Sequence, residues 1–290
     1  MNFSFGGPAR VIDGECARIA VEISPHAQPA IPRLGRTEDI RFSPNSRRLA
    51  VAGYLKNSCF LFEIAIDRAG ARPAVRILDY LELRSDLLAE PHGFDFIGND
   101  TLVIANRTGD VTIFAIPERA GEDRVCHCDP VRVIRRAGFL RRLGSPGSVC
   151  VVGATGGRTE ILVCNNYKNR ITRHVFPHDG RFAWPDDRIV LENALDVPDG
   201  IAVSPDRAWV AISNHMTASV LVFDNRSGLR RSAEPAGTLG GVSYPHGLRF
   251  SPDGRRLYVA DAGAPLVHVY ESAGDWSGPG APVRTVAVLD

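Results

Sequence analysis

Four residues able to ligate a metal or move a proton, Glu38, His92, Asp199 and His246, stand at equivalent points of a recurring stretch. Each immediately precedes Asp39, Gly93, Gly200 or Gly247. Two carboxylates and two imidazoles are a donor set for a divalent cation that keeps an open position for water. Without a cation, Asp or Glu beside His is the ordinary pairing for proton transfer near neutral pH. The third copy has Pro146 at this point. A second set, Gly53, Asn106, Asn165, Ser213 with Asn214, and Asp261, closes the second apolar run of each copy. A ligating histidine usually gives its other ring nitrogen to a carboxylate or carbonyl, so Asp261 is expected to orient His246, and Asn106 to orient His92. The metal candidates are therefore Glu38, His92, Asp199 and His246, and the catalytic candidates His92, His246 and Asp261. Asn106, Asn165, Asn214, Arg136 and Arg141 are the expected substrate contacts. A structural lock between repeats fits the same positions, and Asp199-Gly200 is turn chemistry in its own right. The change from Glu to His to Asp to His favours a site, since a lock tends to keep one residue.

The elements that must position these side chains are repeats. "YPHGLRFSPDGRRLYVADAG" (244–263) is matched by "TEDIRFSPNSRRLAVAGY" (37–54), "PHGFDFIGNDTLVIANRT" (91–108) and "PDGIAVSPDRAWVAISNH" (198–215). A looser copy is "PGSVCVVGATGGRTEILVCNNY" (146–167). With Asp39, Gly93, Gly147, Gly200 and Gly247 aligned, the spacings are 54, 54, 53 and 47 residues. Each copy holds two alternating runs around a tight turn, then a third run such as "CFLFEI" or "VLVFDN", then a fourth such as "VRILDYLEL". Four short strands recurring about every 50 residues mark propeller blades. The expected fold is all-β, a single-domain β-propeller of four-stranded antiparallel blades. Five blades are favoured, with units beginning near 37, 91, 145, 198 and 245. "CARIAVEIS" (16–24) and "VRTVAVLD" (283–290) compete for one fourth-strand place, so residues 1–36 are read as a closing strand or a degenerate sixth blade. In an antiparallel hairpin the residue leading into the first strand and the residue leaving the second share one end, which gathers both sets at one mouth of the channel.

Composition agrees with turns and sheets. The chain has 290 residues with 28 glycines and 20 prolines, about one in six against roughly 12% in average usage. A net charge of +1 gives no field for nucleic acid or an acidic membrane. "MNFSFGGPAR" lacks the basic and apolar regions of an export signal, and no apolar run reaches the ~18 residues of a membrane span. A soluble, cytoplasmic protein is expected, its six cysteines reduced, with Cys59, Cys150 and Cys164 packed inside strands. "VCHCD" (125–129) has no second cluster at metal-ligand spacing and reads as incidental. The arginines of "VRVIRRAGFLRRLGSPG", Arg136 and Arg141 among them, could guide an anionic substrate or form a solvated basic surface. No G-x-S-x-G elbow, phosphate loop or dinucleotide fingerprint is present, which removes serine hydrolase, NTPase and Rossmann readings.

The combination of H/D-G-apolar-x-apolar-S-P-D-G with a second run ending in V-A-D or I-A-N resembles the repeats of the broad superfamily of NHL, YVTN-type and gluconolactonase (regucalcin-like) propellers, from Thr37 onward. The resemblance implies metal-dependent lactonases, lyases or non-enzymatic scaffolds. In regucalcin-like enzymes the residues leading into inner strands supply carboxylate and amide ligands, which Glu38 and Asp199 match. In the amidating lyases histidines do so, which His92 and His246 match. The chain follows neither pattern whole. Function is left open by the resemblance, and the mixed ring of ligand-type residues on a concave mouth favours a small-molecule hydrolase or lyase of lactonase type using a divalent metal ion there. The alternative is a non-catalytic propeller that binds a ligand or a protein partner. Neither nucleic acid nor a membrane is expected as partner.

Overall fold

A computed structural model describes residues 19–68, 73–117, 123–138, 141–177 and 186–288. The fold is all-β, a five-bladed β-propeller. Each repeat read from the sequence is one blade. The inner, first strands are Thr37–Phe42, Pro91–Phe96, Pro146–Thr155, Pro198–Val203 and Pro245–Phe250. The second strands are Arg48–Gly53, Thr101–Asn106, Arg158–Asn165, Trp209–Asn214 and Arg256–Asp261. The third and fourth strands follow outward in chain order, so that blade five, for example, continues with Leu266–Glu271 and Arg284–Ala287.

The hairpins form for local reasons. In blade five the turn at Ser251 to Arg256 is closed by Ser251 Oγ, which accepts the Arg256 N–H at 2.9 Å. Gly254 takes a positive φ of 71° in that turn, where L side chains are strained. In blade three the long turn holds Gly156 and Gly157 at φ 59° and 73°, the paired positive angles that a tight hairpin requires.

The fourth-strand place of blade five is filled by Arg284–Ala287, paired antiparallel to Leu266–Glu271. The N-terminal strand Ala20–Ile23 lies elsewhere: it runs parallel to Ala74–Arg84 on the outer edge of blade one. Of the N-terminal segment, residues 1–18 and with them Cys16 lie outside the described residues. Two more parallel edge strands, Val125–His127 beside blade one and Gly278–Gly280 beside blade four, were not legible in the repeats.

The chain groups into two compact units. One comprises Ala17–Val163 with His174–Asp187. Its cores include Phe94, Leu102, Ile104 and Phe114 between blades one and two, and Phe60, Phe62 and Tyr80 in blade one. Here each blade also grips the next through a carboxylate on its inner strand. Asp39 Oδ2 accepts the Phe94 N–H at 3.0 Å, and Asp95 Oδ2 accepts the Val151 N–H at 2.9 Å. The other unit comprises Cys164–Arg173 and Arg188–Asp290 and is built on Trp209, Val222, Phe250, Tyr270 and Trp276. Of the six cysteines, those described form no disulfide, and burial pushes the Cys59 thiol up to about 12. No helix among the described residues is long and apolar enough to cross a membrane.

Candidate functional site

The glycines of the His92-Gly93 and Asp199-Gly200 pairs set how closely two inner strands approach. A Cβ on Gly200 would lie 2.2 Å from the His246 carbonyl oxygen, and one on Gly93 would lie 2.7 Å from Ser148 Cα. Only glycine permits such contact. Gly200 N–H also donates to Ser213 Oγ at 2.6 Å, which fixes the start of its strand. His92 and Asp199, the residues before these two glycines, are thereby held against their neighbours.

In the unit of blades four and five, this geometry brings Asp199 and His246 together. Asp199 is 2% exposed, and its Oδ2 lies 3.1 Å from His246 Nε2. The same oxygen lies 3.5 Å from Nε2 of His215, to which sequence reasoning gave no role. The two imidazoles stack with centroids 5.4 Å apart and planes 25° apart, and Tyr244 covers His215 at 4.1 Å. Asn166 Nδ2 donates to Asp199 Oδ1 at 2.7 Å and so leaves Oδ2 to the imidazoles. His215 Nε2 and Asn166 Oδ1 are buried without a hydrogen-bond partner. One ligand atom from each of Asp199, His215 and His246 falls within 4.8 Å of the others, a set that could hold a metal ion. The orphaned His215 nitrogen and the donor types fit one.

In the other unit Glu38 and His92 also meet, at 3.6 Å between Oε2 and Nε2. His92 is already engaged on both sides. Its Nδ1 lies 2.7 Å from Gly147 O and its Nε2 2.8 Å from Arg107 Nη2. Arginine only donates, so Nε2 is the acceptor and Nδ1 carries the proton. The ring is thus neutral, and its Nε2 lone pair is capped by a guanidinium. Arg36 pairs with Glu38 Oε1 and lays its guanidinium over the Tyr54 ring at 4.8 Å. Tyr54 and His92 meet in a T-shaped contact with ring centroids 6.0 Å apart.

The second set is structural where substrate contact was expected. Asn106, Asn165 and Asn214 are 0% exposed, so no ligand reaches them. Asn106 accepts the Ala89 N–H and donates to Asp110 O and Thr112 Oγ1, and Asn165 donates to Thr172 Oγ1. Asn214 accepts the Asp196 N–H and donates to Thr217 Oγ1. Asp261 does the same work in blade five, accepting from the N–H groups of Ser243, Tyr244 and Gly263 and lying 3.2 Å from His268 Nε2. It therefore orients its own loop and His268, and the carboxylate beside His246 is Asp199. Asn106 likewise holds its loop, while His92 is oriented by Gly147 and Arg107. Arg136 and Arg141 are exposed on a two-stranded hairpin, with Arg136 opposite Arg142 and Arg141 opposite Ala137.

The side chains that sequence reasoning missed share one position. Tyr54, Arg107, Asn166 and His215 each directly follow the last residue of a second strand. Each touches a residue of the first set: Tyr54 and Arg107 touch His92, and Asn166 and His215 touch Asp199. The signal was the residue after the near-constant Gly, Asn or Asp, where Tyr, Arg, Asn and His vary in the manner of a site.

Solved structures share the fold. A crystal structure of a functionally unknown protein from Desulfotomaculum acetoxidans superposes with a TM-score of 0.59 at 13% identity, covering 87% of this chain and 71% of that one. Two structures described as "putative 6-phosphogluconolactonase" match with TM-scores of 0.53 at 16% identity. The one from Bacteroides fragilis covers 85% of this chain and 69% of that one, and the one from Bacteroides uniformis covers 86% and 71%. No protein-family model and no curated protein matches the sequence.

Proposed function

We propose that the protein is a small-molecule hydrolase of lactonase type, working with a divalent metal ion at Asp199, His215 and His246. The observation that carries this reading is the cluster itself: a buried carboxylate oxygen faced by two imidazole nitrogens, one of them without a hydrogen-bond partner. The description carried by the two Bacteroides neighbours supports lactones as the substrate class. When bound, such an ion supplies Lewis-acid polarisation of a carbonyl and an acidified water.

The chain's own residues do the rest. Asn166 fixes the Asp199 carboxylate by one oxygen and aims the other at both rings. The His215 side chain is 3% exposed and that of His246 20%, so a lactone carbonyl reaches the cluster from the His246 side. Tyr244, 42% exposed and lying against His215, gives the apolar part of the ring a flat surface to rest on.

The test is turnover of a panel of five- and six-membered lactones, with and without a phosphate group, by wild type and Asp199→Asn. A drop in kcat/KM of about 100-fold or more is expected for the variant, the scale of one lost catalytic element. Equal turnover by a folded variant, or no lactone turned over by wild type, would sink the proposal.

A further inference from the structure

Resting on that reading only for the site's location, we infer that Asp199, His215 and His246 form a site for zinc-class ions that rejects calcium and magnesium, with His92 not among its ligands. Two imidazoles and one carboxylate suit borderline ions such as Zn2+ and Co2+, whereas Ca2+ requires six to eight oxygens. Asp199 has one oxygen to give, because Asn166 engages the other. Four-coordinate zinc with bonds of about 2.1 Å places its ligand atoms roughly 3.4 Å apart. The separations from Asp199 Oδ2, 3.1 Å to His246 and 3.5 Å to His215, bracket that value, and all three ligand atoms lie within 4.8 Å of one another.

His215 Nε2 would otherwise stay buried and unsatisfied, which is unfavourable. Asn166 acts as an outer partner of the kind that orients a ligating carboxylate. Three protein ligands with one open side at His246 is the catalytic form of a zinc site, the structural form being closed by four. His92 is excluded by its partner: Arg107 donates to the very nitrogen that would ligate.

The experiment is titration of chelator-treated protein with Co2+ alone, followed by its visible absorption. Expected are one equivalent bound with the intense band of low coordination number, displacement by Zn2+, and no displacement by millimolar Ca2+ or Mg2+. His215→Ala is expected to weaken uptake by about 100-fold or more, and His92→Ala to leave it unchanged. Absence of the band, equal affinity in His215→Ala, lost affinity in His92→Ala, or displacement by Ca2+ would overturn the inference. Should His215→Ala misfold, the wild-type imidazole proton resonances decide: on adding Zn2+, those of His215 and His246 must shift and that of His92 must not. Lactone turnover plays no part in these readouts. Metal uptake without hydrolysis would defeat the hydrolase and leave the site standing.

Discussion

Asp261 and Asp199 are both buried carboxylates at a blade end, and they differ in what they face. Burial works to raise the Asp261 carboxyl, but the N–H groups of Ser243, Tyr244 and Gly263 and the ring of His268 outweigh it and hold the group below the ordinary carboxylate value. A depressed folded-state pKa gives stability that is present above the unfolded value of about 3.9 and lost as pH falls through the folded one. Asp261→Asn should therefore cost about 1.5–3 kcal/mol at pH 7, the range for hydrogen bonds to a charged group, and the gap to wild type should narrow below about pH 4. Denaturant midpoints measured across pH check this, and a gap independent of pH would contradict it. Asp199 faces two imidazoles and one amide, side chains that can rearrange around a ligand. A lock spends its lone pairs on fixed backbone groups, while a site faces side chains.

At the scale of elements, the position of that carboxylate depends on how closely strands Pro198–Val203 and Pro245–Phe250 approach. Gly200→Ala places a methyl 2.2 Å from the His246 carbonyl oxygen, backbone that can retreat only by moving the strand. A destabilisation of about 1–3 kcal/mol is expected, together with weakened metal uptake as His246 is pushed from Asp199. Gly247 is the equivalent glycine of blade five, and a Cβ there meets nothing within 4 Å. Gly247→Ala should lie between neutral and about 1 kcal/mol more stable, by restricting the unfolded chain. Thermal denaturation of the two variants compares them directly; equal losses would show that strand approach is not what Gly200 serves. The strands and these glycines were legible in the sequence because alternation and turn residues recur every 47 to 54 positions. Asn166 and Tyr54 were not. They begin the short 3-10 turns Asn166–Lys168 and Tyr54–Lys56, where strand periodicity has ended and side-chain direction is set by the turn. His215 lies just past Trp209–Asn214 for the same reason. The parallel edge strands Val125–His127 and Gly278–Gly280 escaped notice because three-residue pairings carry no pattern of their own.

At the scale of the whole chain, all three candidate ligands and Asn166 belong to the unit built on Trp209, Phe250 and Trp276, whereas Phe60, Phe62, Phe94 and Phe114 serve cores of the other. A ligand that binds only the folded state adds RT ln(1 + [L]/Kd), about 2.7 kcal/mol at one hundred times Kd. That free energy is felt by whichever cooperative segments must open to release the ligand. With Zn2+ at that excess, amide hydrogen exchange should slow in residues 164–173, 197–216 and 243–248, which carry Asn166, Asp199, His215 and His246. Segments 37–66 and 91–116, which carry Glu38 and His92, should exchange as they do without metal. Slowing of comparable size around Glu38 and His92 would mean that the ion draws its ligands from them. No slowing in any segment would mean that the buried nitrogen of His215 is satisfied by something other than a metal.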